Sequence, residues 1–252
     1  MTYCCGILVR EGLVMIADTR TNAGLDNIST FRKLNIFKRD GDTVLMLASA
    51  GNLSITQSVI NLITEGMLNP ETGEEERLIG MDSMFKAAQL IGRAIRKVQT
   101  VERDALQQAS ISFDTSFLFG GQIKGRRLRL FNHYAAGNFV ECTVDAPFLQ
   151  IGEHKYGKPI LDRAVNFDTE LYDALKIGLI SMDSTMRSNL GVGLPIDIAV
   201  MRRDTQTLEV NTRIDASDMY FRDLRDRWSS ALKAAHMAIP RPPYGVAPVA
   251  AK

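Results

Sequence analysis

The feature that most limits the fold of this chain is a twice-repeated order: several short apolar runs, then two longer helical periodicities. LVMIA (13–17), LNIFK (34–38) and TVLMLA (43–48) are short, and EG at 11–12 and RDGD at 39–42 between them read as turns of antiparallel strands. The period then lengthens. Leu53, Val59, Ile60 and Ile63 mark a helix starting near Ser54, whose side chain is a candidate cap. After a polar, Glu-rich linker at 69–78, Met84, Ala88, Ile91, Ile95 and Val98 recur along one face of a second helix. The second half repeats this order. FDTSFLFGGQ (113–122), RLRLFN (127–132), NFVECTV (138–144) and FLQIG (148–152) read as strands, followed by helices at KPILDRAV (158–165) and ELYDALKIGLISMDSTMRSN (170–189). Leu171, Leu175, Leu179, Met182 and Met186 stripe the longer helix, and IDIAVMRR (196–203) and TLEVNT (207–212) close the sheets. Packing two sheets together with helices outside buries all these faces, so the expected fold is a layered α+β domain.

Composition narrows the function. At 252 residues and 45% hydrophobic the chain has enough apolar content for a substantial core. A formal charge of +1 with no basic stripe speaks against a dedicated nucleic-acid partner, and KGRRLRL (124–130) alternates like one face of a solvated hairpin strand. Nothing approaches 18 consecutive apolar residues, and no charged leader precedes an apolar stretch, so no membrane partner and a cytoplasmic location are expected. Cys4, Cys5 and Cys142 fit neither a disulfide framework nor a zinc spacing and read as strand packing. His133, His154 and His236 lack a ligand-like interval, so neither a metal nor a cofactor is expected.

Beyond this core, DMYFRDLRDRWSSALKAAHMAI (218–239) reads as an amphipathic helix with Phe221, Leu224, Trp228, Leu232 and Ala235 on one stripe. The Pro-rich PRPPYGVAPVAAK that follows cannot be helical. We therefore divide the chain into a domain at 1–215 and a C-terminal helix and tail at 216–252, whose expected role is contact with another subunit.

At the other end, Thr2 follows Met1 directly. If Met1 is trimmed, Thr2 carries a hydroxyl and a free α-amine, whose ordinary pKa of roughly 7.7–8.0 suits it to accept a proton near neutral pH. Such a residue is a nucleophile and its base in one. The plainer reading, an ordinary Met-Thr start, stays open on these two letters.

Thr2, IADTRTNAG (16–24), FRKLNIF (31–37) and LASAGN (47–52), in that order and spacing, resemble the β-subunits of proteasomes and the peptidase subunit of the bacterial two-component ATP-dependent protease. The Met-Thr start, TRTNAG, STFRKL, SMDSTMRSN (181–189) and the C-terminal extension resemble more closely the Anbu family, the proteasome-like ancestral β-subunits of bacteria. The resemblance runs over essentially the whole chain. It implies a four-layer αββα sandwich of the N-terminal-nucleophile hydrolase type, with a C-terminal helical extension.

The resemblance also implies a site. Thr2 matches the nucleophile, Lys33 the lysine whose positive charge lowers the pKa of neighbouring groups, and Asp18 the carboxylate that pairs with it. Asp18 and Lys33 are 15 residues apart, one fewer than usual, so GLDNIST (24–30) must absorb a deletion. Gly51 matches the glycine whose N–H stabilises the oxyanion, and Ser49 the floor of the pocket for the side chain before the scissile bond. The orienting residues depart from the pattern. IGEHKYG (151–157) puts Glu153 where relatives carry a serine, and Asp183, Ser184 and Ser188 are candidates for a second orienting pair. A carboxylate at 153 would raise the pKa of the terminal amine unless it points away. The implied function is cleavage of peptide bonds in peptides or unfolded proteins by a large homo-oligomer, a ring or lock-washer. An unfoldase ATPase partner is left open. Amide hydrolysis of a small substrate and a silent self-assembling scaffold remain as alternatives.

Overall fold

Residues 1–22 and 28–244 are described by the structure, a computed structural model; part of GLDNIST and the end of the Pro-rich tail lie outside the described residues. In chain order the first half holds β1 (Tyr3–Leu8), β2 (Gly12–Asp18), β3 (Arg20–Asn22), β4 (Ile28–Thr30), β5 (Leu34–Arg39), β6 (Thr43–Gly51), α1 (Leu53–Glu65), β7 (Met67–Leu68), β8 (Glu75–Glu76) and α2 (Met84–Gln108). The second half holds β9 (Thr115–Ile123), β10 (Arg129–His133), β11 (Phe139–Glu141), β12 (Phe148–Gly152), α3 (Lys158–Ala164), α4 (Leu171–Ser188), β13 (Ile196–Arg202), β14 (Val210–Ile214) and α5 (Met219–Ala238). The described residues form two compact units, the first running from Met1 to Ser217 and the second starting at Asp218.

Two five-stranded antiparallel sheets organise the first unit, ordered β12-β1-β2-β13-β14 and β11-β10-β9-β6-β5. The period of two along each strand decides what each face meets. On β6, Leu45 and Leu47 join Phe117, Phe119 and Phe131 in a cluster with α1 and α2. The alternate residues Val44, Met46, Ala48 and Ala50 join Cys4, Leu13, Met15, Ala17, Ala199 and Met201 of the other sheet. On β1 and β2 the remaining positions turn to α4, which approaches so closely at Gly178 that a Cβ there would lie 2.7 Å from Ile16 Cδ1. Burial of these alternating faces, at about 25 cal/mol per Å² of apolar surface, is the main stabilising term.

Most elements follow the sequence, with local corrections. Asn52 rather than Ser54 caps α1, its Oδ1 accepting the Ser54 N–H at 3.0 Å. The linker at 69–78 contains β8, which pairs with β7. The strand expected over 138–144 is confined to β11 because the chain turns at Thr143, whose C=O and hydroxyl both accept from Ala146 N–H at 3.3 Å. The strand expected from residue 207 starts at Val210, after a turn in which Asp204 and Gln206 take left-handed backbone angles. Cys142 packs just beyond β11 rather than within a strand.

In the second unit, Asp218 caps α5 through the Phe221 N–H at 2.7 Å. Along the expected stripe Phe221 and Leu224 are buried, Trp228 is half-buried, and Leu232 and Ala235 are exposed. No helix of the described residues is long and apolar enough to cross a membrane.

His133 offers a test of the core. Its Nε2 bonds the Ala88 C=O at 2.9 Å, its Nδ1 is buried without a partner, and burial pushes its pKa down to about 4. An unfolded histidine titrates near ~6.5, so between these values the unfolded chain binds the extra proton and acid favours it. This contribution is fully present above pH ~6.5 and is lost as the pH falls towards 4, about 3 kcal/mol in all. Urea unfolding of His133→Phe at several pH values should show a much flatter decline across that window than the unsubstituted protein.

Candidate active site

Chain direction and strand parity bring the N-terminal residues to one end of the sheets. Thr2 is two residues before Cys4, so the period of two turns it to the inter-sheet face. It lines a cavity of about 80 Å³ together with Met1, Lys33, Ser49, Gly51 and Thr21. The Thr21 hydroxyl is buried in this cavity wall without a partner.

Asp18 lies at the base of the site, at 0% exposure. Its Oδ1 accepts from Lys33 Nζ at 2.8 Å and Tyr3 N–H at 3.0 Å; its Oδ2 accepts from Arg20 N–H at 3.1 Å and Gly193 N–H at 3.4 Å. Burial pushes the carboxyl upward, against the Lys33 charge and the hydrogen bonds from Lys33, Tyr3 and Gly193. Lys33 Nζ also donates to the Arg20 C=O at 2.7 Å. An ammonium has three N–H donors, so one remains beyond these two on a side chain that lines the cavity.

Gly51 occupies a position that requires glycine. Its φ is +108°, and a Cβ there would meet the Asp114 C=O at 2.4 Å. Neighbouring hydrogen bonds give the direction of its N–H. Asn52 N–H points to the residue just before β9, bonding Asp114 C=O at 2.8 Å, while Ser49 N–H points the other way, to Lys33 C=O at 3.1 Å. Alternation therefore turns the Gly51 N–H away from β9, past the first residue of β5 and towards the cavity. Ser49 is buried, its Oγ 3.5 Å from the Lys33 C=O, and forms part of the cavity wall.

The candidate orienting residues separate. Glu153 N–H donates to the Thr2 C=O at 2.6 Å, and its carboxylate accepts from Lys155 N–H at 3.0 Å and Asn189 Nδ2 at 3.1 Å. Those bonds, that of Lys155 foremost, hold the Glu153 carboxyl below the ordinary range. Asp183 is buried on α4 and paired with Arg187 at 3.1 Å, Ser184 is half-buried, and Ser188 is exposed. The residue beyond α4 that reaches Glu153 is Asn189. Sequence reasoning missed Asn189 and the backbone groups of Tyr3, Arg20 and Gly193; main-chain donors leave no signature in residue identity.

The remaining nucleophiles are poorly disposed. Cys4, Cys5 and Cys142 are buried, and burial pushes the thiols up, those of Cys5 and Cys142 to about 12. Among the described residues no group of three His, Cys, Asp or Glu side chains is placed to hold a metal ion.

No protein-family model matches the chain, and no curated protein does. Solved structures do. The Anbu (Gly-1) mutant from Hyphomicrobium sp. strain MC1 is 46% identical, with a TM-score of 0.87 and coverage of 98% of this chain and 100% of that one. Anbu (ancestral beta-subunit) from Yersinia bercovieri is 44% identical, with a TM-score of 0.87 and coverage of 96% and 100%. The helical assembly of the Anbu complex from Pseudomonas aeruginosa is 42% identical, with a TM-score of 0.88 and coverage of 96% and 98%. The chain belongs to the Anbu family of proteasome-related ancestral β-subunits.

The ion pair can be tested apart from any activity. Lys33→Met leaves Asp18 buried without its counter-charge and should cost about 3–5 kcal/mol in urea unfolding, with part regained in the Asp18→Asn/Lys33→Met double variant.

Proposed function

We propose that this chain is an N-terminal threonine hydrolase of proteasome type, cleaving peptide bonds of peptides or unfolded proteins through an acyl-enzyme at Thr2 after removal of Met1. The observation that carries this reading is one cavity shared by Thr2, Lys33 and Gly51, with the Asp18 carboxylate paired to Lys33 at 2.8 Å beneath it. The two sheets with helices on their outer faces support the four-layer αββα arrangement of that class.

In this mechanism the Thr2 Oγ attacks the carbonyl carbon of the scissile bond while its proton passes to the Thr2 α-amine. The carbonyl π electrons move to oxygen, and the Gly51 N–H stabilises that oxyanion. Collapse breaks the C–N bond, the departing amine takes the proton, and an ester remains at Thr2. Water then attacks the ester with the amine again as base, releasing the acid and restoring the hydroxyl. Lys33, fixed by Asp18, lowers the cost of negative charge on Oγ. Ser49 forms the floor of the pocket for the residue before the scissile bond. No cofactor takes part.

With Met1 in place the Thr2 nitrogen is an amide and the site lacks its base. Removal of Met1 therefore separates a hydrolase from a silent assembly. A small-amide hydrolase using Cys4 or Cys5 is disfavoured by the burial and raised pKa of both thiols. Intact mass should report a chain without Met1, and a β-lactone probe should add one acyl group to it. Thr2→Ala should abolish that addition while assembly persists; undiminished labelling would remove Thr2 from the mechanism.

Self-association is the second part of the proposal. The Pseudomonas aeruginosa relative is a helical assembly, which supports an open, lock-washer homo-oligomer for this chain. We assign the subunit contact to 216–252, where α5 leaves Leu232 51% exposed. Trp228→Ala should shift the protein to smaller species on a sizing column; an unchanged elution volume would refute a contact role for Trp228.

A further inference from the structure

Glu153 and Asn189 are 36 residues apart in the chain and meet at the start of β1. Glu153 follows β12 and is joined to Thr2 by its N–H, at 2.6 Å from the Thr2 C=O. Its carboxylate is fixed on both oxygens, Oε1 by Lys155 N–H at 3.0 Å and Oε2 by Asn189 Nδ2 at 3.1 Å. Asn189 is fixed in turn. Its N–H bonds the Thr185 C=O at 2.9 Å as α4 ends, and its Oδ1 accepts the Gly191 N–H at 2.9 Å.

Met1 rests on this turn. A Cβ built on Gly191 would lie 2.8 Å from Met1 Cβ and 3.1 Å from Asn189 Oδ1, so the glycine leaves the space that Met1 fills. Thr2 is thus bordered on its carbonyl side, in the Thr2–Tyr3 peptide, by the Glu153 N–H, and on its other side, through the Met1 side chain, by Asn189 and Gly191.

We propose that Glu153 and Asn189 form a positioning pair that holds a fixed negative charge beside the Thr2 nitrogen and so sets the pH at which the Met1-free chain works. This rests on the hydrolase reading of Thr2. The Lys155 and Asn189 hydrogen bonds hold the Glu153 carboxyl below its ordinary value, so it is charged wherever an α-amine titrates. A carboxylate favours the protonated amine and raises its pKa. Arg20 of β3, whose Nη1 donates to the Leu190 C=O at 2.8 Å beside Asn189, and Lys33 in the cavity wall act in the opposite sense. Asp18 is paired with Lys33 and Asp183 of α4 with Arg187, while His154 and Lys155 are exposed in the turn after β12. Glu153, with its two ordered donors, remains the anion whose own main-chain N–H bonds the Thr2 C=O. The amine then becomes an efficient base only on the alkaline side of neutrality.

The experiment uses the full chain released from a cleavable leader so that Thr2 is first. Competitive acylation by acetic anhydride over roughly pH 6 to 10, read by mass spectrometry of the N-terminal peptide, gives the amine pKa without any turnover. Glu153→Gln keeps the N–H to Thr2 and an acceptor for Asn189, and should lower the amine pKa by about one unit. Asn189→Ala should lower it less, and the double variant should match Glu153→Gln alone. Equal amine pKa values in the unsubstituted chain and Glu153→Gln would overturn the proposal, as would a further shift in the double variant. β-Lactone acylation of Thr2 with an unshifted amine would sink the pair and leave the hydrolase. A shifted amine on a chain that never acylates would leave the pair and sink the hydrolase.

Discussion

The buried carboxylate of Asp18 is the interaction on which the candidate site depends. It accepts from β1, from β3, from Lys33 ahead of β5 and from the loop ahead of β13, and of these donors Arg20 and Lys33 themselves line the cavity. A carboxylate taken out of water is costly unless its lone pairs are met, and here four donors meet them. One anion therefore fixes the Lys33 ammonium and the backbone directly after Thr2. The fold supplies this node by pairing β1 with β2 and β2 with β13, which sets the start of β1 and the loop after α4 against the end of β2.

The two sheets matter to the site because of how they divide their side chains. One face of β6 is committed to α1 and α2 and the other to the opposite sheet, and the end of β6 meets the first turns of α1 at the cavity that Thr2 also lines. Ser49 and Gly51 come from that end of β6, and Thr2 from the start of β1. Glycine at 51 is demanded by local backbone geometry whether or not the position has a chemical role. Architecture and proposed chemistry place the same requirement on one residue.

Periodicity made the long elements legible: all five residues of the Met84-to-Val98 stripe are buried, and β2, β5, β6 and β12 fall where short apolar runs lie. Short elements and edges were harder to read. Ser54 and Asn52 are both good caps, and only three-dimensional geometry chooses between them. Two non-glycine residues in the left-handed region delayed β14, a choice that pattern reading does not anticipate. In the site, Asp18 and Lys33 were legible as charges that resemble a known pair, whereas three of the four donors to Asp18 are main-chain N–H groups. The Glu153 contact was hidden for another reason: 181–189 offers several polar residues at the end of one helix, and a shift of one position separates Ser188 from Asn189.

Strand parity at the start of β1 has one further consequence. Thr2 shares its face with Cys4 and the cavity, whereas Tyr3 turns the other way, its hydroxyl locked against Ser181 at 2.7 Å on the α4 side. A cut one residue later would leave Tyr3 first, with its phenol held outside the cavity; no cut at all would leave Thr2 without an amine. The pleat thus acts as a gauge of chain length, under which one terminus out of three neighbouring possibilities presents both functional groups to the same small space.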